Sequence, residues 1–154
     1  MKQQGSTTAD VQLVRQLNRD AILDLIRKRS PISRTTLARL TQLTPATAFS
    51  IVEELVQRGL VRESGIGPSQ GGRRPMLFEF NPYAYVALGI NVRSNQVRGV
   101  MTYLDATPVA TVTREHGLGT GGDVVPLMAE ILHELVAASP VPGDRILGAG
   151  LAMP

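Results

Sequence analysis

SRTTLARLTQLTPATAFSIVEELVQRGLVRE, residues 33–63, decides the fold of the front of this chain. Ser33 carries a hydroxyl that can cap a helix over Arg34 to Gln42, with Leu37 and Leu40 on its inner face. Thr44 caps a second helix. Pro45 stands at its first position, where a missing amide hydrogen costs nothing. That helix runs to Arg58 with Ala48, Ile51, Val52 and Leu55 facing inward. Gly59 follows as the stop, because glycine takes the left-handed conformation there without a side-chain penalty. Leu60 to Glu63 then reads as a short strand.

Working outward, Val11 to Arg29 forms a preceding helix whose apolar residues are Val11, Val14, Leu17, Ile22, Leu25 and Ile26. Ser30-Pro31 ends it, since proline disfavours helix in the residue before it. On the other side, Ser64 to Pro75 is a loop rich in glycine, serine and proline. Met76 to Phe80 is the returning strand, and Asn81-Pro82 closes it. A helix, a pair of short helices and a two-stranded hairpin make a winged helix-turn-helix over residues 11–82. Residues 1–10 are polar and are expected to be a disordered tail. They hold no apolar run, so they are not a signal peptide.

In such a domain the second helix of the pair enters the major groove of double-stranded DNA with its N-terminal end. The residues free to do so are Thr44, Pro45, Ala46, Thr47, Phe49 and Ser50, joined by Arg34 and Thr35 at the start of the neighbouring helix. Phe49 is unusual on a wet face. It either touches a thymine methyl group or packs against the wing or the first helix. The wing loop contributes Gln70, Arg73 and Arg74, and the two arginines suit the negative potential of a narrow A·T minor groove.

The charge is unevenly placed. Up to Pro75 there are 12 Lys/Arg against 6 Asp/Glu, whereas from Met76 there are 4 against 7, so only the front half is suited to a polyanion. There is no cysteine, which excludes disulfides and cysteine-ligated metal and fits a cytoplasmic protein. No run is apolar enough for a membrane helix.

Residues 83–154 have a different texture. Val86 to Val92, Val97 to Leu104 and Pro108 to Glu115 read as successive strands, with turns near Ser94-Asn95 and Asp105-Ala106-Thr107. Asp123 to Ala138 is an amphipathic helix with Val124, Leu127, Met128, Ile131, Leu132 and Leu135 on one side. Ile146 to Ala152 is a buried strand.

Four segments together resemble the repressors of the ROK family (repressor, open reading frame, kinase). They are Asn18 to Leu23, Ser33 to Ala38, Gly59-Leu60-Val61 and, most specific, Gly71-Gly72-Arg73-Arg74-Pro75. Leu88 to Val92 and Gly148 to Pro154 resemble the start of that family's sensor lobe and the strand leading to its sugar site. The resemblance implies an α+β chain: a winged helix-turn-helix followed by part of an actin-like, sugar-kinase (ribonuclease H-like) α/β lobe. That lobe opens with three antiparallel strands, a helix and a parallel strand. It further implies a DNA-binding regulator, a repressor by family default, that answers to a sugar or sugar phosphate and acts as a dimer or higher oligomer. The sugar-contacting residues, a cysteine-and-histidine zinc motif and most dimer contacts are expected beyond Pro154, so the lobe is expected to be incomplete and less stable than the DNA-binding part.

The family's kinases carry an aspartate-glycine-glycine-threonine turn that cradles ATP phosphates. The aligned stretch here is Asn91-Val92-Arg93-Ser94-Asn95, with neither glycine. No ATP binding, no cofactor and no kinase activity are expected. The histidines, His116 and His133, form no catalytic or metal-ligating cluster in the sequence. The competing functions are a sugar kinase of the same superfamily and a protein-interaction module that does not bind DNA.

Overall fold

The computed structural model describes residues 4–68, 74–117 and 124–153. The chain divides into two compact units, Met1–Asn81 and Pro82–Pro154.

The first unit is built from α1 (Gln4–Arg29), β1 (Ile32–Ser33), α2 (Arg34–Thr41), α3 (Pro45–Gln57), β2 (Val61–Ile66) and β3 (Met76–Phe80). Ser33 accepts a hydrogen bond from the Thr36 amide and Thr44 accepts one from the Thr47 amide, so both helices of the pair start on a side-chain cap. Gly59 ends α3 at φ 73°. Its neighbour Leu60 then turns back into the core, its amide bonded to the Leu55 carbonyl. Ile22, Ile26, Leu37, Ala48, Ile51, Val52, Leu55 and Phe78 are buried together with Val61.

The three strands form one antiparallel sheet in the order β1-β3-β2, with Phe78 opposite Ile32 on one side and Glu63 on the other. β1 is an addition to the expected hairpin. It has only two residues, too few for any periodicity to mark it. Asn81 closes the unit by donating from its side chain to the Gly59 carbonyl and from its amide to Leu60.

Three expectations are corrected in this unit. Helix α1 begins at Gln4, not Val11, so residues 4–10 are helical rather than a disordered tail. Backbone hydrogen bonding propagates a helix past the end of its apolar stripe. Val11, Val14 and Leu17 are exposed, by 64%, 55% and 59%, and only Ile22 and Ile26 of the expected face reach the core. The reason is coverage: around Val11 and Val14, α1 meets α3 only across a shallow groove, which leaves those side chains open to solvent. Leu40 is also exposed, and Ala38 takes the buried position on α2.

The second unit contains β4 (Val86–Val92), β5 (Gln96–Tyr103), β6 (Pro108–Glu115), α4 (Val125–Ala137) and β7 (Ile146–Ala152). Its sheet has the order β6-β5-β4-β7. The first three strands are antiparallel, and β7 runs parallel to β4 after the α4 crossover. Val86, Leu88, Ile90, Val97, Met101 and Val112 form the face that receives Ile131 and Leu135 of α4. Strand β7 is largely exposed, contrary to its expected burial, including Leu147 and Leu151. Helix α4 lies over β4 to β6, and none of the described residues covers β7. This is the order of elements that the family resemblance implies.

Candidate nucleic-acid interface

The first turn of α3 gathers most of the expected contact residues. Thr44, Pro45, Ala46, Phe49 and Ser50 are exposed and Thr47 is half-buried. The Thr44 and Thr47 hydroxyls lie 2.8 Å apart, and Thr44 Oγ1 also accepts from the Thr47 amide at 3.2 Å. The cap therefore fixes both side chains at the helix start, where unpaired amides and the positive end of the helix dipole favour phosphate. Ala48, Ile51, Val52 and Leu55 are buried on the opposite side, so packing fixes which face of α3 is presented.

Thr35 is exposed on the first turn of α2. Arg34 is placed differently from the expected open contact. Its guanidinium carbon lies 4.1 Å from the Phe49 ring centre and 4.5 Å from that of Phe78, and Nη2 donates to Glu53 at 3.0 Å. Phe49 thus packs on a cation from α2, an arrangement neither of the two readings of its role foresaw.

Two residues of α1 were absent from the expected interface. Arg15 and Asn18 line a shallow groove shared with Ala46, Thr47 and Ser50. Arg15 and Arg19 bond to Glu54 of α3 at 3.1 and 2.8 Å and hold its carboxyl below the usual range, Arg19 most strongly. No sequence signal connects α1 to α3 at that separation. A surplus of arginine on α1 is compatible with any solvated face.

In the wing, Gln70 and Arg73 lie outside the described residues. Arg74 is exposed, and its Nε donates to the Gly67 carbonyl at 3.3 Å while the Gly67 amide donates to Pro75 at 2.8 Å. These bonds join the two legs of the loop.

The second unit holds a shallow concavity of about 710 Å³ on the sheet face away from α4, lined by Gly89, Asn91, Arg93, Arg98, Thr113 and Gly150. At its rim the β4–β5 turn closes with the Arg93 amide on the Gln96 carbonyl, and the Arg93 side chain folds back onto Asn91. Side chains occupy the position where a phosphate-cradling turn presents bare backbone amides. Among the described residues, no three or more His, Cys, Asp or Glu side chains gather to hold a metal ion, and no helix is long and apolar enough to cross a membrane.

Comparison with known proteins gives a consistent set of likenesses. The IclR helix-turn-helix domain profile matches residues 21–65. The xylose repressor of Bacillus spizizenii is 32% identical over 148 residues, covering 95% of this chain and 38% of that protein. The DNA-binding transcriptional dual regulator NagC of Escherichia coli is 37% identical over 83 residues, covering 54% of this chain and 20% of that protein. A crystal structure of a regulator described as a homologue of the Escherichia coli MLC protein superposes with a TM-score of 0.70 at 20% identity, over 92% of this chain and 36% of that one. The chain spans 38% of the length of the xylose repressor it matches.

Proposed function

We infer that this chain, which belongs to the ROK family of transcriptional regulators, binds double-stranded DNA sequence-specifically through the N-terminal end of α3 and the β2–β3 wing. The observation that carries this reading is the capped first turn of α3, which exposes Thr44, Pro45, Ala46, Phe49 and Ser50 around Thr47 on a helix whose other face is locked in the core. Thr35 flanks this turn, the wing arginines Arg73 and Arg74 suit the negative potential of an adjacent minor groove, and Gln70 is a further DNA contact of the same loop.

The relatives named as xylose and N-acetylglucosamine repressors support a repressor of sugar-metabolism genes, acting in the cytoplasm and answering to a sugar or sugar phosphate. A sugar that prefers the DNA-incompetent arrangement lowers operator affinity, and by linkage DNA lowers affinity for the sugar equally. A dimer places two recognition helices on half-sites about one helical turn, or a multiple, apart. The relatives are named as regulators rather than kinases, and the closed Arg93–Gln96 turn supports a role without phosphoryl transfer.

Affinity selection from a random duplex library, followed by a salt titration on the enriched sequence, tests the reading. Enrichment of one motif with a steep loss of affinity as salt rises is expected. No binding even at low salt would overturn it in favour of a protein-interaction module.

A further inference from the structure

One cation connects three elements of the first unit. Arg34 opens α2, and its guanidinium lies over Phe78 of β3 and over Phe49 of α3 while pairing with Glu53 one turn further along α3. Phe49 and Glu53 are four residues apart, so they share a face of the helix and grip the guanidinium from ring and carboxylate together. Phe78 is fully buried, whereas Phe49 is 51% exposed. Arg34 therefore rests on the core and supports a ring that stands in solvent. Its Nε is buried and, among the described residues, has no hydrogen-bond partner. That is a cost a residue kept only for surface charge would not carry, and the two ring contacts offset it.

An exposed phenyl ring four residues past the first residue of a capped helix is out of place among Ala46, Thr47 and Ser50. In the major groove the one apolar group a base pair presents is the thymine 5-methyl. We propose that Phe49 reads a thymine methyl group, and that Arg34 is the positioning residue that fixes the ring for this contact rather than a phosphate or base contact itself. The proposal rests on the DNA-binding reading above and adds to it a named base feature and the residue that enforces it. Holding the ring in advance matters because a free phenylalanine on a helix surface samples several rotamers, and ordering it on binding would weaken the contact.

The test replaces thymine by uracil one position at a time in the enriched duplex, which removes the methyl group and nothing else. For the unaltered protein, one thymine in each half-site is expected to be sensitive, with affinity falling about fourfold, the effect of one buried methyl group. Phe49→Ala should bind the thymine and uracil duplexes equally. Arg34→Lys, which keeps the charge but not the flat stacking surface, should lose most of the discrimination while its salt dependence stays unchanged. A phosphate-contacting Arg34 would instead show, in Arg34→Gln, a salt slope reduced by about one with methyl discrimination intact, and that result overturns the proposal. Equal affinity of the unaltered protein for every uracil-substituted duplex overturns it without any variant needing to fold. Failure of the unaltered protein to bind any duplex is a different outcome, which removes the DNA-binding reading as well.

Discussion

Glu54 shows how a single side chain ties two helices. It accepts from Arg19 and Arg15 of α1 while sitting on α3, and these bonds, Arg19 first, hold its carboxyl below the ordinary glutamate range. A folded-state value depressed relative to the unfolded chain means that the pair's stabilisation is complete at neutral pH. It is lost as pH falls from about 4.3 through the folded value. Both partners are partly solvated, so the contribution is a few tenths to about 1 kcal/mol. Urea melts at pH 7 and pH 4 should show a larger acid loss in the unaltered protein than in Glu54→Gln; equal losses would remove the linkage. Ala106 makes the opposite point. It occupies the left-handed region at φ 67° in the β5–β6 turn, where the Tyr103 amide donates to the Thr107 carbonyl and the Asp105 carboxylate accepts from the Thr107 amide. Forcing a Cβ into that conformation costs roughly 1 kcal/mol. Ala106→Gly should therefore raise stability by a few tenths to about 1 kcal/mol, the gain reduced by the extra freedom of the unfolded glycine. A lower melting temperature for the variant would contradict this.

At the scale of elements, the joint between α4 and its sheet depends on one missing side chain. Gly99 lies in the middle of β5, and a Cβ placed on it would collide with Ile131 and come within 2.9 Å of Leu135, both fully buried. Gly99→Ala should destabilise the second unit by about 1–3 kcal/mol, as overpacking does in a filled core. A change below about 0.5 kcal/mol by chemical denaturation would show that α4 can shift to make room. The same elements show what is legible in a sequence. Strands β3, β4, β6 and β7 have bounds that their flanking turns announce, and the caps Ser33 and Thr44 mark helix starts by chemistry that acts within three residues. What is not legible depends on partners distant in the chain. A periodic stripe on α1 predicts burial, yet burial needs something to cover it, and of that stripe only Ile22 and Ile26 are fully covered. Leu147 and Leu151 fail for the same reason. β1 exists because β3 has a free side, not because of anything in its own two residues. The α3 face of the candidate interface was readable from the capped turn and the spacing of Ala48, Ile51, Val52 and Leu55. The Arg34–Phe49–Phe78 contact was not, since it joins α2, α3 and β3 through a packing no periodicity encodes.

For the molecule as a whole, the question is which charges meet the polyanion. Much of the basic surplus before Pro75 is already paired: Arg15 and Arg19 with Glu54, Arg27 and Lys28 with Asp24, Arg34 with Glu53, Arg62 with Glu79. The net positive charge left after such pairing sets the long-range field that steers DNA toward the first unit, but a cation must reach a phosphate to release a counterion. The number of cations that count is thus much smaller than the 12 in the front of the chain. With about four phosphate contacts, affinity should fall roughly a hundredfold between 50 and 200 mM salt. The wing and the second unit make different contributions to that slope. Arg73→Gln combined with Arg74→Gln should lower it by up to about two. Arg93→Gln combined with Arg98→Gln removes as much charge from the second unit's concave sheet face, and it should leave the slope as it was while changing affinity only through net charge. If the second pair lowered the slope as much as the first, the phosphate contacts would lie on the sheet face of the second unit, and the division of the chain into a DNA-reading front and a non-binding rear would be wrong.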